Sequence, residues 1–447
     1  MKQYSKYTKS AIGWLDSFPS HWNVTYLKRF SDRITDGAHF SPPTVFEGRN
    51  YVSVKDIDEF GNIDLENCKK IDQNEFDNLV KNGCQPTVGD LLLTKDGTIG
   101  RAAVVNNNDF VVLSSLGIIS PNEKLLLSYY LRYYLISKIN YEQMMSLIAG
   151  AALTRLTIEK IKHLFITIPP YDEQTHIVRY LDHQCTIIDD LINKKEQLIE
   201  RLQELRQATI NEAVTKGLDP KAEMKDSGVV WLGEYPKSWN LTQLRHLISK
   251  AGSGVTPRGG AEVYTDEGVI FIRSQNVHFD GLGLDDVVRI DPETHSNMSG
   301  SKVFQKDVLL NITGASIGRC CVVTIDEEMN VNQHVCILRS NGKILPDYLN
   351  LVLQSNIGQL QVKNGATGGN REGLTLEALK EFIIPVPEVT IQADLVSKII
   401  STINEIVTLV KMNIQQIDNL KEYRQSLISE AVTGKIDVRE WQPSYEN

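Results

Sequence analysis

The longest regular hydrophobic pattern in the chain occurs twice, in stretches of about 44 residues at 172–215 and 390–433. In the second, a mainly apolar stripe recurs at alternating steps of four and three: Ile399, Ile403, Ile406, Val410, Asn413, Ile417, Leu420, Arg424, Leu427 and Ala431. The first gives Leu181, Cys185, Ile188, Ile192, Lys195, Ile199, Leu202, Arg206, Thr209 and Ala213. This period predicts a long helix with a coiled-coil seam. Each stretch follows proline (Pro169-Pro170; Pro387), opens on an N-cap residue (Asp172; Thr390) and stops at glycine (Gly217; Gly434). At 1.5 Å per residue such a helix spans roughly 65 Å, more apolar stripe than one globular domain covers. The two are therefore expected to pair with each other, Ile188, Ile192, Ile199 and Leu202 facing Ile406, Val410, Ile417 and Leu420. A whole domain separates them in sequence, which favours an antiparallel pair.

Two features of the stripes leave alternatives open. Lys195 and Asn413 interrupt the seams at matching places, either to fix register or to lean into solvent. Leu191, Leu198 and Leu205 form a second stripe on the first helix, either core or a docking face.

The rest of the chain repeats as well, at an offset close to the 218 residues that carry Gln174 onto Gln392. Trp14, Leu15, Pro19, Trp22 and Asn23 fall on Trp231, Leu232, Pro236, Trp239 and Asn240, a pattern of packing aromatics around a turn. Alternating residues 50–57 and 269–277 predict half-buried strands. Residues 89–105 (GDLLLTKDGTIGRAAVV) match 306–323 (KDVLLNITGASIGRCCVV), each a strand, a glycine-containing loop and a second strand. Helices at 129–138 and 347–356 follow, then small-residue loops at 149–155 and 365–373, a Leu-Thr-x-Glu helix start, and apolar strands at 164–168 and 382–386. The expected fold is α+β: two pseudo-symmetric β-rich halves joined by two long helices that form an antiparallel coiled coil. The expected boundaries are 1–168, a helix at 169–217, 218–386, a helix at 387–436 and a tail at 437–447.

Shared framework with unlike polar residues marks the candidate contacts. Lys55 lies on one predicted strand, and Arg273, Gln275 and Asn276 on its partner. Arg, Gln and Asn are the side chains able to make paired hydrogen bonds to base edges, although any one of them also fits a solvated strand face. In the glycine loops, Lys95-Asp96 stands against Ile312-Thr313, and Arg101 and Arg319 are candidate phosphate contacts or salt-bridge partners. Ser114-Ser115 stands against Asn332-Gln333, and Arg155 and Arg371 sit on the small-residue loops, where a basic group suits a nucleic-acid backbone. Alanine at either arginine is expected to weaken binding and lower its salt slope.

Composition narrows the classes. The chain has 447 residues, 41% hydrophobic and 23% charged, as in ordinary globular proteins. A net charge of −9 weighs against a nonspecific nucleic-acid coat. No apolar run reaches bilayer length and residues 1–10 lack a signal-peptide core, so a cytoplasmic protein without membrane association is expected. The six cysteines form no C-x-x-C pair, and the nine histidines show no metal-ligand spacing. Pro169-Pro170-Tyr171 follows Ile168, without the amide or carboxylate that an amino-methyltransferase motif requires, and Asp219 with Glu223-Met224-Lys225 lies in a polar linker rather than among nuclease strands. No catalytic residue and no metal site is assigned.

The chain resembles the specificity subunit of type I restriction-modification systems. The resemblance rests on Trp-Leu-x-x-x-Pro-x-x-Trp at each domain start, Asp90 and Asp307 with the Gly-Arg loop, Gln174 and Gln392 after proline, and the Glu-Ala-Val-Thr helix ends, twice in the same order. It implies two target recognition domains, each reading part of a split, asymmetric sequence in double-stranded DNA, with the helices as spacer. It implies two methyltransferase subunits docked on that scaffold, with restriction subunits joining the assembly. It places S-adenosylmethionine, ATP and Mg in those partners, with no cofactor bound by this chain and no catalytic site in it. The alternative is a coiled-coil interaction scaffold that binds no nucleic acid.

Overall fold

Leu91, Leu92 and Leu93 have no exposed surface, and neither do Leu309 and Leu310, because each run forms the inner strand of a four-stranded antiparallel sheet. A computed structural model describes residues 2–148, 155–257, 259–367 and 373–443. The chain divides into two units, one made of Met1–Lys195 with Ile414–Asn447, the other of Glu196–Asn413.

In the first unit the four-stranded sheet runs Ser31–Asp36, Leu116–Pro121, Leu91–Thr94, Ala102–Val104. A second sheet orders Lys69–Ile71, Arg49–Val52 and Phe110–Val112, the last two parallel. Phe165–Ile168 pairs with Asn23–Tyr26 and leads into the long helix Tyr171–Thr215. The second unit repeats this order. Its four-stranded sheet runs Ile248–Ser253, Val335–Ser340, Val308–Asn311, Cys320–Val322, and Ile383–Val386 pairs with Asn240–Gln243 before the helix Val389–Val432. Its other sheet keeps the same central strands and adds Tyr264–Thr265 and Lys302–Val303 at the edges. The matched glutamines explain the helix entry. The Gln174 side chain accepts from Leu127 N and donates to the Leu125 and Pro169 carbonyls, and Gln392 does the same with Leu345, Lys343 and Pro387.

Each expected strand at 50–57 and 269–277 is shorter than the alternation suggests. It ends at Val52 or Ile272, and Val54–Asp56 or Ser274–Asn276 forms a 3-10 turn. Asp56 and Asn276 cause the break, because their side chains accept from the backbone N–H of Ser53 and Arg273 and so compete with the ladder.

The long helices run antiparallel. Within the first unit, Asp189 meets Arg424 at 2.9 Å and Lys195 donates to Gln416, so one helix descends as the other rises. Within the second, Ile210, Ala213 and Val214 share a core with Leu395, Ile399 and Ile403. None of the seam positions named above is exposed. Asn413 is buried and donates to the Leu409 carbonyl, so neither polar interruption simply faces water. Leu191, Leu198 and Leu205 are exposed, so the second stripe is not core of this chain. The units also cut each helix in two instead of setting it apart from the heads, because each half of a helix packs within one unit.

The units close differently. In the second, one continuous chain passes from the helix end at Thr215 to the strand Met224–Asp226. In the first, the two chain ends do that work: Asp437 N donates to the Lys2 carbonyl, Tyr7 Oη donates to the Gly434 carbonyl, and Trp441 packs edge-on against Tyr180. Among the described residues no helix is long and apolar enough to cross a membrane.

Candidate nucleic-acid interface

Both units bring their unlike residues to one end of the four-stranded sheet. Gly37 and Gly254 set the geometry there. A Cβ at either would run into a backbone carbonyl oxygen, of Val112 or of Val331, so only glycine lets the chain leave the sheet so close to the neighbouring strand. His39 and Thr256 each follow two residues later.

In the first unit this end carries a chain of charges. Lys95 Nζ lies 3.3 Å from Asp36 Oδ2 and 3.8 Å from Asp96 Oδ2, and Arg155 Nε lies 3.0 Å from Asp96 Oδ1. His39 Nε2 is 3.2 Å from the other Asp36 oxygen. Lys95 is 1% exposed, whereas the Arg155 side chain is 41% exposed. The backbone repeats the link, with Asp96 and Arg155 forming a β-bridge and Leu156 N donating to the Lys95 carbonyl.

The second unit has the same backbone bonds and different chemistry. Thr313 bridges to Gly373, and Leu374 N donates to the Ile312 carbonyl. Ile312, Thr313 and Gly373 therefore occupy the places of Lys95, Asp96 and Arg155, and Ser253 that of Asp36. Around them His334 Nδ1 lies 2.5 Å from Thr313 Oγ1, Gln333 Nε2 lies 3.1 Å from His334 Nε2, and Thr256 donates to Gln333. The cluster is made of hydroxyl, amide and imidazole groups in place of the first unit's ammonium, guanidinium and carboxylates.

The sites named from sequence sort unevenly on this frame. Lys95 is corrected: its ammonium is buried between carboxylates and offers nothing to a ligand. Asn276 is corrected too. It is 2% exposed and caps its turn, donating to the Gly283 carbonyl. Arg101 donates to the Ile57 carbonyl at 2.8 Å, and Arg273 to the Asp286 carbonyl at 3.1 Å, so both brace loops. Gln275 is exposed and donates to Asp286. Asn332 turns its oxygen to His334 N. Lys55, Arg319 and Gln333 are exposed, and Arg155 half-exposed. Arg371 and residues 149–154 lie outside the described residues. The strand register also moves one pairing: Ser115, whose carbonyl accepts from Lys95 N, corresponds to His334, whose carbonyl accepts from Ile312 N, so Ser114 matches Gln333.

Sequence reading missed Asp36, His39, Thr256 and His334. One signal was present, the matched run of glycine, His39 or Thr256, then proline at Pro42 or Pro257. All six cysteines are buried, and burial pushes the Cys321 and Cys336 thiols up to about 12, so they are inert packing groups. Among the described residues no group of three or more His, Cys, Asp or Glu side chains is placed to hold a metal ion.

A duplicated β-rich head followed in each copy by a long helix, with unlike polar clusters at the matched sheet end, defines the class of fold. The family model described as the type I restriction modification DNA specificity domain matches residues 76–201 and 263–419. The chain belongs to that family. It is 22% identical over 441 residues to the putative type I restriction enzyme MjaX specificity subunit of Methanocaldococcus jannaschii, covering 97% of each. It is 24% identical over 299 residues to the type I restriction enzyme EcoBI specificity subunit of Escherichia coli, covering 65% of this chain and 62% of that one. Two solved structures share the fold at 16% identity. A chain from a study of type I restriction-modification complex assembly gives a TM-score of 0.71 over 94% of this chain and 99% of that one. The HsdS subunit from Thermoanaerobacter tengcongensis gives 0.51 over 94% and 98%.

Proposed function

We propose that this chain is the DNA-sequence specificity subunit of a type I restriction-modification complex, each head reading one part of a bipartite, asymmetric target. The observation that carries the reading is one framework bearing two unlike clusters, charged around Asp96 and made of hydroxyl, amide and imidazole groups around Thr313. Identical heads would read identical half-sites. Heads alike in backbone and unlike in hydrogen-bonding groups suit two different half-sites, because base edges are told apart by donor and acceptor pattern. In this reading Arg319, Gln333, Lys55 and Gln275, which are exposed, and Arg155, which is half-exposed, are the candidate DNA contacts. The paired helices hold the spacing between the half-sites.

Docked methyltransferase subunits bring S-adenosylmethionine and the reaction; restriction subunits bring ATP, Mg and cleavage. This chain contributes no catalytic group. The exposed stripe Leu191, Leu198 and Leu205 suits a helical partner face. The acidic total is compatible with this role, because partner subunits share the phosphate contacts.

The test is competitive binding of random-sequence duplexes by the chain together with its methyltransferase subunit. The expected result is recovery of a sequence subset that resists excess competitor. Equal retention of all sequences refutes sequence reading, and retention of none returns the chain to the class of scaffolds that do not bind nucleic acid.

A further inference from the structure

We infer that the first head reads a guanine through Arg155, and that buried Lys95, with Asp36 and Asp96, positions that arginine for the purpose. The inference rests on the DNA-reading function proposed above and adds a base, a contact residue and its supports.

The geometry runs outward from the core. Lys95 comes directly after the buried strand Leu91–Thr94, so its backbone is fixed and its ammonium has nowhere to go. A buried ammonium is costly unless paired, and Asp36 and Asp96 supply the pairing. Asp96 is thereby held from below. Its second oxygen faces Arg155 Nε, and the Asp96–Arg155 bridge fixes the two backbones. The ion pair at Nε favours one orientation of the guanidinium. Its two terminal nitrogens are left as a planar fork, and no described residue takes them. That fork matches the O6 and N7 acceptors of guanine. Ordering a long side chain before the ligand arrives removes an entropy cost from binding and sharpens the penalty for a wrong base.

Charge separates base reading from phosphate binding. The two cations Lys95 and Arg155 are balanced by the two carboxylates Asp36 and Asp96. A phosphate contact gains from unbalanced positive charge and releases counterions. A guanidinium whose charge is already balanced by Asp96 gains less from a phosphate and more from a matched pair of acceptors. Under this inference Arg155→Ala leaves the salt slope nearly unchanged, where a phosphate contact would lower it. The second head has Ile312, Thr313 and Gly373 at these positions, so the device belongs to one half-site only.

The experiment is selection of bound duplexes by the full chain with its methyltransferase subunit, for wild type, Arg155→Ala, Arg155→Lys, Asp96→Asn and Lys95→Met. The expected wild-type motif holds a guanine at one position that Arg155→Ala and Arg155→Lys both flatten. Every other position, including the whole of the other half-site, should keep its preference. Affinity for the wild-type site should fall roughly tenfold to a hundredfold in Arg155→Ala, with the salt slope nearly unchanged. Replacing that guanine by 7-deazaguanine should weaken wild type and leave Arg155→Ala unaffected. Asp96→Asn and Lys95→Met should relax the same single position, a readout that general loosening of the head would not confine to one base. Lys95→Met risks misfolding; Arg155→Lys and Asp96→Asn do not remove core volume and keep the test open. A split motif whose base preferences Arg155→Ala leaves intact overturns the inference while sparing the proposed function. Loss of one unit from the salt slope in Arg155→Ala makes it a phosphate contact and also overturns it. Absence of any split motif in wild type overturns both.

Discussion

One position in the fold shows how the two units diverged beneath their loops. Where the first packs Phe76, Leu79 and Val111 around Tyr51, the second has His295, Met298 and Asn330 around Phe271. His295 Nδ1 lies 2.6 Å from Asn330 Nδ2, and Ser301 donates to Asn330 Oδ1. An apolar contact has become a short polar network with the backbone unmoved. A second exchange concerns the buried aspartates at the start of each inner strand. Asp307 is held bidentately by Arg339 at 2.7 Å, from the strand paired with its own, whereas the guanidinium beside Asp90 is that of Arg33 at 3.5 Å, one strand further away. The lesson is that the framework is specified by backbone and strand order, and that charge and polarity are free to move between adjacent strands. The same freedom at the sheet end is what lets one head carry ions and the other amides.

The contrast between a covalent and a non-covalent closure is the one to break first. Removing the chain after Lys435 strips Ile436 and Val438, both buried, from the first unit. Burial of two such side chains is worth roughly 3–5 kcal/mol, so hydrogen exchange should accelerate by orders of magnitude in the first unit and hardly in the second. Comparable acceleration in both units would show that the closure is not local. Next in size is the aspartate pair. Arg339→Ala leaves a buried carboxylate without its partner and should cost about 2–3 kcal/mol. Arg33→Ala should cost about 1 kcal/mol or less, since Arg33 reaches Asp90 only at 3.5 Å; a backbone N–H serves each aspartate alike, that of Thr87 and that of Phe304. Equal losses in thermal melts would contradict the geometry.

The smallest effect is the dependence on pH. Burial, with Lys302 nearby, holds the His295 imidazole below its ordinary 6.5, while Glu328 opposes the shift. Its folded pKa is depressed, so the unfolded chain binds the proton more readily. The neutral imidazole's contribution is therefore complete above pH 6.5 and shrinks as pH falls from there towards the folded value. The second unit should lose stability over that window and the first should not by this route. Replacing the network by the first unit's pattern (His295→Phe, Asn330→Val, Ser301→Ala) should flatten the dependence. A pH profile unchanged by those substitutions would remove His295 as its source.

The seams were legible in sequence because a heptad period survives any environment, and the duplication because Gln174 and Gln392 return after the same interval. The site was only partly legible. Asp36, Lys95 and Arg155 lie about 60 residues apart and meet only through sheet order, which residue type cannot supply. Lys95 read as a surface cation because nothing local marks it as the inward continuation of a buried strand. Asn276 read as a base reader because a capping amide and a recognition amide look alike until the turn around them is seen.

The central claim is that two unlike heads read two blocks at a fixed separation. The direct measurement is affinity of the chain with its methyltransferase subunit for its selected duplex and for copies with one base pair added to or removed from the stretch between the blocks. The account predicts two short constant blocks flanking bases of any identity, and a steep loss of affinity for either change of length. One contiguous block, or equal binding across all three lengths, would contradict it.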